Sequence, residues 1–140
     1  MGFWYPFITE PMAFCSLVPF GIPSQYIFYY EALCILSALF HKLHLLPMGS
    51  QILIFTDNTN TVNIFYTLHT LPAYNCILKS AVDILLEFNH QLQIRYVPSD
   101  QNGIANLVLH CQFSWALTLC PDLHISSSEP PHLPLGEPKE

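Results

Sequence analysis

Two carboxylates stand where the pattern of the chain offers them little ordinary reason to be. Asp57 ends an unbroken apolar run, Gln51 to Thr56, which hands over to amide and hydroxyl residues in QILIFTDNTNTV. A run of about five apolar residues with β-branched and aromatic members, and no alternation, predicts a strand covered on both faces. Ligands of such sheets gather beyond the carboxyl ends of the strands, so Asp57 lies where a working acid belongs. The alternative is a cap, because Asp57 or Asn58 could accept from the free N–H groups of the helix that follows. Glu31 is the second anomaly. By three- and four-residue steps it shares a helical face with Ile27, Cys34, Ile35 and Ala38, the side turned to the core. Burying a lone carboxylate is costly unless it is paired, protonated or bound to a cation. The bland alternative is a rim position with the carboxylate reaching solvent. His41 and His44, three apart near the end of the same helix, could share a metal or stay solvated beside the negative helix end.

The elements that must position these acids follow from punctuation and periodicity. Ser24 after Pro23 is a candidate N-cap, and Gln25 to Leu45 reads as a long helix ending near Pro47 and Gly49. Beyond the central strand, Thr59 to Thr70 carries Val62, Ile64, Phe65 and Leu68 at helical spacing until Pro72 closes it. Tyr74 to Asn89 repeats the pattern, with Asp83 and Glu87 on a solvated side. Gln91 to Val97 alternates polar and apolar residues, which predicts a strand with one face exposed. A turn at Pro98 to Gly103 then leads into a last helix over about Gln101 to Leu119. Before all of these, Gly2 to Tyr5 and Met12 to Val18 form the strands of a hairpin, each limited by proline. Residues 1–120 thus make one domain, and the proline-rich residues 121–140 a disordered tail. Pro131 to Pro134 in that tail has the PxxP form that can dock an aromatic groove.

Composition narrows the function classes. Of 140 residues 51% are hydrophobic and only 10% charged, which implies deep burial or an uncovered apolar face and predicts poor solubility of the isolated chain. The net charge is -6, with Lys42, Lys79, Arg95 and Lys139 the only bases. A nucleic-acid binder commonly neutralises roughly 6 to 10 phosphates, so these four argue against strong independent binding. Five cysteines without Cys-x-x-Cys spacing read as buried thiols of an intracellular, reducing compartment rather than a zinc or disulfide framework. No basic region precedes the N-terminal apolar residues, so a secretory signal is not expected. Pro6 stands where a myristoylation signal would have Ser or Thr. The apolar segment Ala32 to Phe40 falls far short of the ~20 residues that span a bilayer, so no membrane partner is expected.

YYEALCILSAL around Glu31, LIFTDNTNTVNIF around Asp57 and the C-terminal VPSDQNGIANLVLH come in an order that resembles a known family. It is the ribonuclease H domain of long-terminal-repeat (gypsy-like) retrotransposon reverse transcriptase polyproteins. The resemblance covers about Gly2 to Phe113, and its specific parts are TDN-x-NTV-x-IF and P-x-x-QN-x-x-A. It implies an α/β, ribonuclease H-like mixed sheet flanked by helices, and a site that hydrolyses the RNA strand of an RNA–DNA hybrid. Acidic residues around two Mg2+ ions do that chemistry, because paired metals can activate the attacking water and stabilise the leaving oxygen together. Glu31 matches the helix glutamate of the family and Asp57 the aspartate ending its fourth strand, so both are implied catalytic and metal-binding residues.

The resemblance also marks what this sequence departs from. The last aspartate of the family is matched by Asn106, a degenerate catalytic position, and the histidine before the proline turn by Tyr96. The first, central strand with its aspartate has no counterpart before Gly2, so truncation at the N-terminus is implied. The hairpin must then pair with the Asp57 strand, borrow a strand, or leave edges exposed and attach poorly. Glu31 and Asp57 supply half the negative charge that four acids bring to two divalent ions. Asp100, in the turn where relatives often carry Glu, is not a substitute. The expected reading is therefore a degenerate domain with negligible hydrolysis and weak or absent Mg2+ binding. Partners implied are an RNA–DNA hybrid held weakly, an upstream reverse transcriptase domain, or other copies through exposed strand edges. The competing readings are a non-catalytic nucleic-acid-binding module and a protein-interaction fragment using the aromatic N-terminus and the tail.

Overall fold

The structure, a computed structural model, describes residues 1–6, 10–17 and 26–132. The chain folds as a mixed α/β assembly in which helix α1 (Ile27–Lys42) is the central rod. Its run of Ala, Leu and Ile is buried almost all round: Ala32, Leu33, Ile35, Leu36 and Leu39 are all in the main core. The buried stripe is thus centred on Leu36, while Ile27, expected on the core face, is 54% exposed. His41 and Lys42 occupy the last turn, where positive charge suits the helix dipole. Ser24, the expected cap, lies outside the described residues.

Strands β3 (Gln51–Thr56) and β4 (Gln91–Tyr96) pair in parallel, from Gln51 opposite Gln91 to Thr56 opposite Tyr96. Helices α2 (Thr59–Thr67) and α3 (Asn75–Glu87) form the crossover between them. Ile52, Ile54, Leu92 and Ile94 pack toward α1 and α3. On the opposite face Leu53 and Phe55 are 47% and 56% exposed. The expectation of a strand covered on both faces is corrected here, because among the described residues the helices pack against one face of this sheet. His90 closes its lower end: its Nδ1 accepts from the Ser50 N–H at 3.0 Å, and Nε2 lies 3.2 Å from the Leu43 carbonyl. That pair of contacts ties the ends of α1, β3 and β4 through one buried ring.

A second sheet has the order β1–β2–β5. Strands β1 (Gly2–Tyr5) and β2 (Met12–Cys15) are the antiparallel pair expected from the sequence. Strand β5 (His124–Ser127) lies parallel to β2 on its outer side. This corrects the expectation of a tail beginning at Pro121. Leu123 is buried in a second core cluster with Ala13, Val108 and Ala116, so the segment has an apolar anchor despite its serines and prolines. Residues 133–140, and with them half of the PxxP segment, lie outside the described residues.

The expected last helix is two helices, α4 (Gly103–Leu109) and α5 (Phe113–Leu119), both packed on the second cluster. The chain bends at Cys111, whose φ of 55° ends the first helix in the left-handed region. Close approach of α4 to the hairpin requires Gly2, where a Cβ would sit 3.0 Å from the Leu109 nitrogen and from Val108 Cγ1. The side chain of Met1 is buried in the main core, and the Cys34 thiol donates to the Gly2 carbonyl at 3.3 Å. The hairpin therefore does not join the β3–β4 sheet, yet α4, α1 and β5 hold it in place. Poor attachment, expected from the missing pairing, gives way to helix packing. Among the described residues no strand covers the second edge of β3, and no helix is long and apolar enough to cross a membrane.

Candidate acidic site at the end of strand β3

Asn58 decides what Asp57 is free to do. Its extended backbone places it as the N-cap of α2, and its Oδ1 accepts from the Thr61 N–H at 3.1 Å. The cap thus falls to Asn58, and the Asp57 carboxylate is released from that role. The other end of the same amide donates through Nδ2 to Glu31 Oε2. One side chain therefore closes α2 and bridges it to α1, which brings the β3 terminus against the glutamate.

Glu31 and Asp57 are both half-buried, and the charge of Asp57 acts on the glutamate. The Glu31 carboxyl is pushed up to about 6, first by desolvation and then by the charge of Asp57. Between the two positions posed by the sequence, Glu31 is half-buried, neither sunk in the core nor fully exposed. Asp57 takes its own partner from the turn after β4, where Ser99 Oγ donates to Asp57 Oδ2 at 2.8 Å. Asn106 reaches the same turn from α4, but its Nδ2 donates to the Ser99 carbonyl at 2.8 Å. It braces the turn and makes no hydrogen bond to either carboxylate. The structure thus brings Glu31 and Asp57 together and sets Asn106 behind Ser99.

Other residues singled out by the sequence lie elsewhere. Tyr96 is 51% exposed at the end of β4, and Asp100 is exposed in the short turn Ser99–Gln101. The His41 ring packs 4.6 Å from that of Phe14, whereas His44 is exposed, so the two do not act as a pair. The expectation of buried thiols needs correction at Cys111, which is exposed, whereas the Cys34 thiol is desolvated and Cys15, Cys76 and Cys120 are half-buried residues. Sequence reasoning missed Ser99 and the bridging role of Asn58. Both had a signal, since Ser99 sits in the P-x-x-QN turn and Asn58 directly follows the acid. It also missed Thr61, whose fully buried hydroxyl has no hydrogen-bond partner among the described residues.

The donor set bears on the two Mg2+ ions implied by the resemblance. Among the described residues no group of three or more His, Cys, Asp or Glu comes together. Two carboxylates balance one divalent ion and leave a second uncompensated, and Asn106 directs N–H rather than oxygen toward the turn. These residues do not fit a metal pair. Among the described residues the bases add no basic stripe: Arg95 donates to its neighbour Gln93 at 3.4 Å, and Lys42 Nζ lies 4.5 Å from the centre of the Tyr5 ring. No protein-family model, curated protein or solved structure matches the chain.

Proposed function

We propose that this chain is a degenerate ribonuclease H-like domain of the long-terminal-repeat retroelement kind, one that keeps the acidic corner of the family and has lost hydrolysis of RNA–DNA hybrids. The observation that supports this reading is the meeting of Glu31 and Asp57 through Asn58, across separate elements, at the carboxyl end of a parallel strand. A pair of acids placed only to cap a helix or to sit on a rim has no need of that convergence.

Loss of activity follows from the remaining ligands. Hydrolysis by paired metals needs enough negative charge to hold both ions and to stabilise the charge that develops on the attacking and leaving oxygens. If an asparagine in place of one acid removes ~3 to 4 kcal/mol of that stabilisation, the reaction slows by roughly two to three powers of ten. Asn106 is such a replacement, and its amide is occupied with the Ser99 carbonyl.

Purified protein incubated with an RNA–DNA hybrid and magnesium or manganese is expected to release no more product than its Asp57→Asn variant. Metal-dependent cleavage that disappears in Asp57→Asn would refute the proposal. A non-catalytic nucleic-acid-binding module is the second reading, and it would be revived by salt-dependent binding to the same hybrid. Exposed Leu53 and Phe55 favour a third, contact with another protein chain such as an adjoining polymerase domain.

A further inference from the structure

The cysteines divide sharply in their surroundings. Cys34 lies under the hairpin, where its thiol donates to the Gly2 carbonyl at 3.3 Å and desolvation pushes it up to about 11. Cys76 packs against the main core, and Cys120 against the second cluster. Cys15 also packs against the second cluster, but it and Cys111 differ from these three in that their thiols meet. Although 96 residues apart in the chain, their sulfurs lie 3.9 Å from each other.

Both thiols are held there by backbone. Cys15 ends β2 between two paired strands, opposite Gly2 on one side and Ser127 on the other, and its carbonyl accepts from the Ser128 N–H at 3.0 Å. Cys111 is the left-handed residue of the α4–α5 bend, its N–H donating to the Val108 carbonyl at 3.1 Å. The next N–H, of Gln112, donates to the Leu107 carbonyl at 2.8 Å. A disulfide needs its sulfurs about 2.05 Å apart, so the pair must close by roughly 2 Å, a distance that side-chain rotation can supply. Among the described residues no third His, Cys, Asp or Glu joins them, so covalent closure suits the pair better than a metal.

We propose that Cys15 and Cys111 are an oxidisable dithiol, whose disulfide clasps β2 to the bend between α4 and α5. Cys111 is exposed and Cys15 half-buried, which sets the order of events. The Cys111 thiolate attacks one sulfur of a small-molecule disulfide such as oxidised glutathione and releases the first glutathione thiolate. Cys15 then gives up its proton and attacks Cys111 Sγ, releasing the second. One glutathione disulfide is reduced to two thiols, and the protein loses two hydrogens. Burial, and then the neighbouring Cys111, raise the Cys15 thiol above its ordinary value in the reduced pair. The clasp closes a long loop and fastens the helix that carries Asn106, without touching either carboxylate.

The full chain, reduced and freed of reductant, is titrated in its folded state with oxidised glutathione, then alkylated and digested for mass spectrometry. The expected product has lost two hydrogens and yields one cross-linked peptide pair, Cys15 with Cys111, while Cys34, Cys76 and Cys120 carry the alkyl label. Its unfolding midpoint should rise by at least about 10 °C and fall back on reduction with dithiothreitol. Cys15→Ser and Cys111→Ser should each abolish the shift, and the comparison of oxidised with reduced wild type needs neither variant to fold. A stable glutathione adduct on Cys111 beside a free Cys15 would overturn the proposal. So would cross-links scattered among all five cysteines, or an unchanged midpoint.

Discussion

Half-buried on α1 and close to the charge of Asp57, the Glu31 carboxyl is pushed up to about 6 in the folded chain, by desolvation first and then by that charge, against an ordinary value of 4.5. The folded state therefore keeps a proton through a window in which the unfolded chain has released it. Stability contributed by this group falls as pH rises between those two values, and the full penalty stands above the upper one. Solvent reaching a half-exposed group screens the interaction, which leaves about 1 kcal/mol. Glu31→Gln removes the charge and keeps an oxygen that can accept from the Asn58 amide. The variant should be about 1 kcal/mol more stable than wild type near about pH 8 and no different near about pH 4. Urea unfolding at the two pH values measures this. An equal gain at both would assign the effect to packing and not to titration.

At the scale of elements, the segment after Cys120 is where sequence and structure part most clearly. Leu123 is 5% exposed, and the strand that follows pairs with β2 from Met12 to Cys15. Ending the chain at Cys120 should cost about 3 kcal/mol, from one buried leucine and a row of lost strand hydrogen bonds. An unchanged denaturation midpoint in the shortened chain would return the segment to the role of a tail. Its composition hides the strand, because four residues rich in serine give too short a pattern to rise above the prolines beyond them. The bend at Cys111 was hidden for another reason. No glycine or proline marks it, and a non-glycine residue takes the left-handed conformation there only because the bend lets α4 and α5 share one apolar cluster.

For the whole molecule, the decisive feature is that its described strands form two sheets. The outer face of β3 and β4 carries Leu53 and Phe55, and β3 has neither a charge nor a proline along its length. Such a strand invites edge-to-edge association, since its unpaired backbone groups lack the usual protections. Replacing Leu53 and Phe55 together with lysine leaves Ile52 and Ile54 in the core. The double variant should keep the folding stability of wild type to within about 1 kcal/mol and remain monomeric at concentrations where wild type associates. Sedimentation velocity over a dilution series checks it, and equal association by both proteins would place the sticky surface elsewhere. Exposed Trp115, Leu119 and Leu86, 67%, 63% and 73% accessible, are the other places it could lie.

Local pattern was sufficient for the helices around Leu36 and Ile77, the strands Gln51–Thr56 and Gln91–Tyr96, and the N-terminal pair, because each writes its period within a few residues. It was sufficient, too, for picking Glu31 and Asp57 as acids out of place. Whether they meet could not be read locally, since that depends on the path of the crossover and on Asn58 reaching back across it. Asn106 is the reverse case: the resemblance implies a degenerate catalytic position for it, whereas its contact with the Ser99 carbonyl makes it a brace. The meeting of Cys15 with Cys111, the burial of Leu123 and the separation of the two sheets were likewise tertiary decisions. Each rests on contacts between segments far apart in the chain, whose free energy no local window contains.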